Sequence, residues 1–169
     1  MSAPVLATIA LGSNLGPREL ALERAVEGLA RLPHTRLVAR SRWHETEPVG
    51  GPAGQPRFLN GVVRVETGLG PRALLEALQA LERAAGRERA GEVRHGPRTL
   101  DLDLVFYGRL QLAEPGLELP HPRAEERLFV LEPLAEIAPD EHLPGCGRRV
   151  RERVAELRAG RARAAEGPP

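Results

Sequence analysis

Apolar residues recur along the chain with two different periods. Residues 5–11 form a short apolar run that suits a buried strand. Leucine and valine then recur every three to four positions over residues 17–32 and 71–85, which predicts two amphipathic helices. Each of these segments opens on a proline, which suits the first position of a helix. Further strands are predicted at residues 36–46, 58–67 and 99–106, the last with strict alternation.

The predicted order of elements is β-α-β-β-α-β. This order is typical of the ferredoxin-like α+β fold, in which helices pack on one antiparallel sheet. We expect C-terminal helical additions, because Leu-Glu-Leu at 117–119 and a Pro-His-Pro turn are followed by helical patterns near 123–135 and 148–157. Residues 1–159 are therefore predicted to form a single domain, and residues 160–169 a frayed tail.

Composition narrows the possible partners. The 169 residues carry a formal net charge of +1 and only 3% aromatics, which argues against a nucleic-acid surface. No apolar run reaches the roughly 20 residues that span a bilayer. One cysteine, Cys146, suits a reducing compartment. We expect a cytoplasmic monomer that acts on small molecules.

The basic residues limit the chemistry further. All 24 are arginines, so a P-loop lysine, a Schiff-base lysine and a lysine general base are excluded. Any phosphate site must then be built from arginine, whose planar fork binds phosphate oxygens in pairs. Asparagine is also scarce, with only Asn14 and Asn60 present. A GC-rich coding sequence explains this bias, and the two asparagines that remain become more informative.

The main candidate chemistry lies on the fourth predicted strand, at Asp101 and Asp103. Side chains alternate along a strand, so both carboxylates share one face at a Cα separation of about 7 Å. Their oxygens can converge on two cations about 3.5–4 Å apart, and oxygen ligands favour Mg²⁺ over Zn²⁺. An isolated Asp-x-Asp is more often a polar strand face. Phosphate-ester chemistry is favoured here because arginines closely precede the pair, at Arg87, Arg89, Arg94 and Arg98.

Other segments give weaker signals. The glycine-flanked arginine loop at 86–98 is interpreted as a lid over a polyphosphate, in preference to a solvated charge run. Phe58 and Asn60 would share a strand face, which suits a flat heteroaromatic ligand, although an aromatic at a strand start is more often core. His121 stands in a rigid Pro-His-Pro turn. The segment 12–16 could hold phosphate but is interpreted as a strand-to-helix turn.

Taken together, these segments resemble the hydroxymethyl-dihydropterin pyrophosphokinases of folate biosynthesis. The resemblance covers roughly residues 7–140. Its most specific part is Gly-Pro-Arg-Thr-Leu-Asp-Leu-Asp at residues 96–103. The other matching segments are Ala-Leu-Gly-Ser-Asn-Leu-Gly at 10–16, Thr-Glu-Pro-Val-Gly at 46–50, Phe-Leu-Asn at 58–60, Pro-His-Pro at 120–122 and Arg-Leu-Phe-Val-Leu at 127–131.

The resemblance implies transfer of the β,γ-diphosphate of ATP to the hydroxymethyl group of the pterin, with release of AMP. Asp101 and Asp103 would bind two Mg²⁺ ions and, with Arg87 and Arg98, form the catalytic set. The implied ATP-binding residues are Gln79, Glu82, Arg89, Arg98, Leu104, His121 and Arg127. The implied pterin-binding residues are Thr46, Val49, Phe58, Asn60 and Phe129.

Two positions depart from the family pattern: His95 stands where many members carry tryptophan, and Pro122 stands where an aromatic is common. Three alternative functions differ in what they would require of the sequence. A ferredoxin-like RNA-binding domain would need more sheet aromatics and a basic surface. A kinase that moves only the γ-phosphate would release ADP in place of AMP. A regulatory ligand-binding domain would not need the paired aspartates.

Overall fold

The computed structural model describes residues 3–86 and 99–167, and its main element is a five-stranded antiparallel sheet. The strands are β1 (Val5–Ser13), β2 (Thr35–Arg40), β3 (His44–Thr46), β4 (Phe58–Thr67) and β5 (Asp101–Tyr107). The order across the sheet is β2-β4-β1-β5, and β3 pairs with β4 beyond the end of β2. This topology confirms the predicted ferredoxin-like arrangement.

The described residues form four α-helices. They are α1 (Arg18–Ala30), α2 (Pro71–Ala84), α3 (Leu128–Ile137) and α4 (Val150–Glu166). The first two agree with the predicted helices: Pro17 is the N-cap residue of α1, and Pro71 opens α2. In this part of the chain, none of the helices has both the length and the apolar character that crossing a membrane requires.

Helices cover both faces of the sheet. On the first face, α1 and α2 pack against buried strand residues that include Ile9, Val63 and Leu102. On the second face, α3 and α4 pack against Val62 and Phe106. Because Val62 and Val63 are adjacent in β4 and both fully buried, the middle of the sheet is enclosed from two sides. Access for ligands is therefore left to the ends and edges of the strands.

The strand predicted over residues 36–46 is wrong as a single element, because it divides into β2 and β3. Ser41 interrupts it by exchanging two hydrogen bonds with Val62: its backbone N–H donates to the Val62 carbonyl, and its Oγ accepts from the Val62 N–H, both at 2.9 Å. The ring of Trp43 then lies over Gly61, where a Cβ would approach the ring to 2.4 Å. The break therefore depends on a residue across the sheet.

The predicted alternation at residues 99–106 is confirmed only from Asp101 to Leu104. Ile9 pairs with Leu104 and Thr8 pairs with Phe106, so Val105 is an extra residue that forms a β-bulge. Val105 and Phe106 consequently both join the core of the second face. The bulge matters for the site because it leaves the Val105 carbonyl to accept a hydrogen bond from the backbone N–H of His121, at 2.9 Å.

The C-terminal part contains more regular structure than predicted. The helix expected near 123–135 is a 3₁₀ helix at Ala124–Glu126 followed by α3, and β7 (Leu117–Leu119) pairs with an unpredicted strand, β6 (Leu112–Glu114). The last helix was expected near 148–157 but extends to Glu166. Residues 160–166, expected as a frayed end, are helical because alanine and arginine have high helix propensity despite Gly160.

Candidate active site

Gly12 lies between the two predicted groups of site residues, Phe58 with Asn60 and Asp101 with Asp103. It pairs with Asn60 of β4 on one side and with Asp101 of β5 on the other. Paired residues share a face, and neighbouring strands lie about 4.8 Å apart, so Asn60 and Asp101 stand about 10 Å apart on the second face. A Cβ at Gly12 would meet Asn60 Oδ1 at 2.7 Å and Phe58 Cδ1 at 3.5 Å. Gly12 therefore leaves room for this arrangement. The interpretation of residues 12–16 as a turn did not predict this role.

The predicted pterin residues of β3 and β4 are brought together. Thr46 pairs with Phe58, and the side-chain amide of the buried Asn60 donates a hydrogen bond to Thr46 Oγ1. This bond fixes which way the amide points. Val49 lies on the loop after β3 and is 64% exposed. The structure thus places a ring and an oriented amide on one sheet face, with Val49 at its rim.

Helix α3 carries the second predicted aromatic, Phe129, in its first turn. The guanidinium of Arg127 lies over this ring, 5.4 Å from its centroid. Arg127 is also the N-cap residue, and its carbonyl accepts hydrogen bonds from the N–H groups of Val130 and Leu131 at 3.0 Å. Since α3 packs on β3 and β4, its N-terminus presents an aromatic ring and a cation on the side of the sheet that carries Asn60.

The two aspartates begin β5. Asp101 and Asp103 are half-buried and alternate with Leu102 and Leu104, which are buried on the first face. Asp103 pairs with Ala10, so both carboxylates stand on the second face, as the spacing predicted. In the described ranges no group of three or more His, Cys, Asp and Glu side chains could hold a metal. Two carboxylates nevertheless suit Mg²⁺, which is commonly bound through one or two carboxylates plus waters and substrate phosphates.

His121 is docked beside these aspartates by its bond to the bulge carbonyl. Burial of the imidazole, with a smaller effect of the nearby Arg127, lowers the pKa of His121 below its ordinary 6.5, while Asp101 and Glu118 act in the opposite direction. The ring is therefore neutral at pH 7. Its Nδ1 accepts from the backbone N–H of Arg123 at 3.5 Å, so the proton resides on Nε2, which can donate to a phosphate oxygen.

Three of the predicted nucleotide residues lie elsewhere, on the first face beside the edge of β5 that faces away from β1. Glu82 of α2 is 1% exposed, and its Oε2 accepts from the backbone N–H of Leu102 at 3.0 Å. Gln79 precedes it by one helical turn and is half-buried, and Leu104 is a core residue. Glu82 thus supports the aspartate strand directly. Contact of these three residues with a nucleotide remains a prediction.

Asn14 is a second residue whose role the sequence did not reveal. It is 1% exposed, and its amide donates to Gln55 Oε1 at 3.3 Å and to the Pro56 carbonyl at 3.0 Å. It therefore ties the turn after β1 to the loop that leads into Phe58. The scarcity of asparagine makes Asn14 a candidate for a specific role, but nothing in the sequence indicates its partners.

The predicted arginine loop lies outside the described residues. This applies to the catalytic and ATP-binding assignments of Arg87, Arg89 and Arg98, and to Arg94 and His95. Their roles remain predictions. Of the predicted arginines, Arg127 is the one that the described site contains.

Comparison with known proteins identifies the family of the chain. The family model of 7,8-dihydro-6-hydroxymethylpterin-pyrophosphokinase matches residues 8–139. A 2-amino-4-hydroxy-6-hydroxymethyldihydropteridine pyrophosphokinase from Pseudomonas aeruginosa is 48% identical over 147 residues, which cover 87% of this chain and 88% of that one. The enzyme of the same name from Bacillus subtilis is 48% identical over 132 residues, covering 78% of this chain and 77% of its own.

Solved structures show the same fold. The structure of Plasmodium falciparum HPPK-DHPS with pterin and p-hydroxybenzoate matches 97% of this chain with a TM-score of 0.75 at 13% identity. This chain spans only 45% of that longer protein. At this identity the likeness concerns the fold alone.

The fold, the paired carboxylates and these relatives define an ATP-dependent transferase. The chain belongs to the 7,8-dihydro-6-hydroxymethylpterin-pyrophosphokinase family. Its reaction is the transfer of pyrophosphate from ATP to hydroxymethyldihydropterin in folate biosynthesis.

Proposed function

We propose that the chain carries out this transfer on the second face of the sheet, with the pterin held at β3, β4 and α3 and two Mg²⁺ ions held by Asp101 and Asp103. The observation that carries the proposal is the pairing of Gly12 with both Asn60 and Asp101. It sets the oriented amide and the first carboxylate about 10 Å apart on one face. That spacing suits a pterin ring whose hydroxymethyl arm reaches toward phosphates beside the carboxylates.

The pterin would be bound by stacking and by its polar edge. Phe58 and Phe129 supply rings, and aromatic stacking adds about 0.5–1.5 kcal/mol beyond area burial. Asn60, oriented by Thr46, offers both a donor and an acceptor to the heterocycle. Backbone groups near Thr46 and Val49 would complete the edge contacts.

The nucleotide would cross the edge of β5 that faces away from β1. Its phosphates would lie on the second face near His121 and Arg127, which offer a neutral N–H donor and a fixed cation. Its base would lie near the half-buried Gln79, with the buried Glu82 and Leu104 behind it. Bound Mg²⁺ would neutralise the phosphate charge.

The transfer itself needs positioning more than covalent chemistry. The hydroxymethyl oxygen of the pterin attacks the β-phosphorus of ATP, and its hydroxyl proton passes to solvent water. The bond from that phosphorus to the oxygen bridging the α-phosphate breaks, and AMP leaves with that oxygen. Asn60 and His121 would accelerate the reaction chiefly by holding the two substrates in the geometry for attack.

Substitution of the aspartates tests the proposal. Asp101→Ala and Asp103→Ala should each lower turnover by at least about 10³-fold, because the phosphate charge is no longer neutralised. Their thermal unfolding should stay close to wild type, since neither side chain is in the core. Asp140→Ala is the matched control: Asp140 is exposed and pairs with Arg151 at 2.9 Å, so its loss should leave turnover unchanged. Near wild-type turnover in either site variant would exclude the metal assignment.

The location and assembly of the enzyme are part of the proposal. A cytoplasmic enzyme is supported by the single cysteine, Cys146, which is free and exposed. We infer a monomer, for which light scattering would give a mass of 18.4 kDa. A mass of twice that value would contradict it.

A further inference from the structure

His44 and Glu136 connect the two elements that carry the proposed pterin residues. His44 of β3 pairs with Asn60, so its side chain stands on the second face beside the oriented amide. The imidazole Nε2 is hydrogen-bonded to Glu136 Oε1 of α3. The other carboxylate oxygen, Oε2, accepts from the backbone N–H of Arg42 at 3.0 Å. Both oxygens of one carboxylate on α3 are thus used to hold β3 and the residues that lead into it.

The position of Glu136 along α3 makes this link relevant to the site. Glu136 follows Phe129 by two helical turns, so the two side chains lie on the same side of α3, about 10 Å apart along its axis. On β3, Thr46 follows His44 by two residues and therefore shares its face. A bond between His44 and Glu136 consequently fixes how far Phe129 stands from Thr46 and Asn60.

The chemistry of the pair suits a fixed contact. The side chains of His44 and Glu136 are only 25% and 22% exposed. Burial would raise the pKa of the Glu136 carboxyl, but the hydrogen bonds from the Arg42 N–H and from His44 outweigh burial and lower it. The carboxylate is therefore charged at neutral pH and can only accept, so His44 Nε2 must carry the proton.

We propose that His44 and Glu136 are positioning residues for pterin binding, which hold α3 in register with β3 so that Phe129 and Asn60 meet the same ligand. This inference rests on the proposed function, because it assumes that a pterin occupies the space between these elements. Neither residue needs to touch the pterin. Their effect should appear in pterin affinity and not in ATP affinity.

Glu136→Gln tests the proposal with little change of shape. Arg42 and His44 bind different oxygens of the carboxylate, and glutamine replaces one of these oxygens by an NH2 donor. One of the two donors therefore loses its acceptor, and the other loses a charge-assisted bond. We expect the pterin Kd, measured by fluorescence titration, and the pterin KM to rise about fivefold, the effect of one net hydrogen bond. The KM for ATP and kcat should stay within about twofold of wild type.

Glu132→Gln is the matched control on the same helix. Glu132 accepts from Arg158 of α4 at 3.2 Å, so its substitution removes the same charge from α3 without touching β3. Its pterin Kd should equal that of wild type. Equal pterin affinity of the Glu136→Gln and Glu132→Gln variants would overturn the proposal. Parallel losses of pterin and ATP affinity with a lower melting temperature would also overturn it, since they indicate a general structural role.

Two variants of the partner residue decide the matter if Glu136→Gln fails to fold. In His44→Gln the side-chain amide can still donate to Glu136, whereas in His44→Ala it cannot. The proposal expects His44→Gln to restore most of the pterin affinity that His44→Ala loses. Equal affinities of the two variants would overturn it. Wild-type protein that does not bind the pterin would instead contradict the proposed function, a result obtained before any variant is made.

Discussion

Among single residues, a glycine separates the proposed pterin residues from the paired aspartates. Gly12 is the cross-strand neighbour of both Asn60 and Asp101. The space that a Cβ would take is filled by Asn60 Oδ1 and the edge of Phe58. The glycine is thus needed because the side chains of Asn60 and Phe58 approach it closely. It is not needed for an unusual backbone angle, since its φ is not positive.

Gly12→Ala should therefore damage pterin binding specifically. The added methyl group would displace the Asn60 amide, which would then meet the pterin edge in the wrong place. We expect the pterin Kd to rise about tenfold or more, the cost of misplacing a buried hydrogen-bonding group, with ATP affinity retained. Gly70→Ala is the control, since a Cβ there has no atom within 4 Å. Equal pterin affinities in titrations of the two variants would contradict this account of Gly12.

At the level of secondary-structure elements, the loops near the site are held by side-chain contacts between residues far apart in the sequence. Asn14, at the turn after β1, holds Gln55 and Pro56. These residues lead into β4, where Phe58 begins the strand. The turn after β1 thus supports the proposed pterin site without facing it.

Asn14→Ala should loosen this loop. It removes a buried donor and leaves the Pro56 carbonyl without this bond, at a cost of about 1–3 kcal/mol in the free energy of unfolding. Because Phe58 follows the released segment, the pterin KM should rise in steady-state assays while the KM for ATP stays constant. A variant that is destabilised in urea but keeps its pterin KM would show that the loop does not position Phe58.

The elements differ in how far the sequence could predict them. The helical periodicity of residues 71–85 and the alternation at Asp101–Leu104 are local signals, and both were confirmed. The break at Ser41 could not be predicted, because it depends on Val62 and Gly61 of another strand. The same reason applies to the site: the spacing of the aspartates placed them on one face, but the role of Gly12 depends on register across three strands.

At the scale of the whole molecule, charged contacts hold the sheet edge to the helix layer. Glu23 of α1 accepts from both terminal nitrogens of Arg40, at 3.0 and 2.6 Å, and from Trp43 Nε1 at 2.9 Å. The bonds from Arg40, and then that from Trp43, lower the pKa of Glu23 from 4.5 to about 2. The side chain of Glu23 is 47% exposed, so water screens part of this interaction.

Global stability should accordingly depend on pH through Glu23. A carboxyl whose folded pKa is depressed stabilises the fold above its unfolded pKa of 4.5, and this contribution is lost as pH falls toward about 2. We expect Glu23→Gln to lower the free energy of unfolding by about 1 kcal/mol at pH 7, after screening. Urea denaturation should show this difference shrinking between pH 4.5 and 2. A difference that is constant over this range would contradict the assignment.

For the molecule as a whole, we propose that one sheet face aligns a pterin alcohol with the β-phosphorus of ATP. Its most direct test is the nucleotide that remains after turnover. Wild-type protein, ATP, Mg²⁺ and hydroxymethyldihydropterin should yield AMP and pterin diphosphate in equal amounts by ion-exchange chromatography, with no AMP when the pterin is omitted. Formation of ADP with a pterin monophosphate would show transfer of the γ-phosphate alone and would contradict the account.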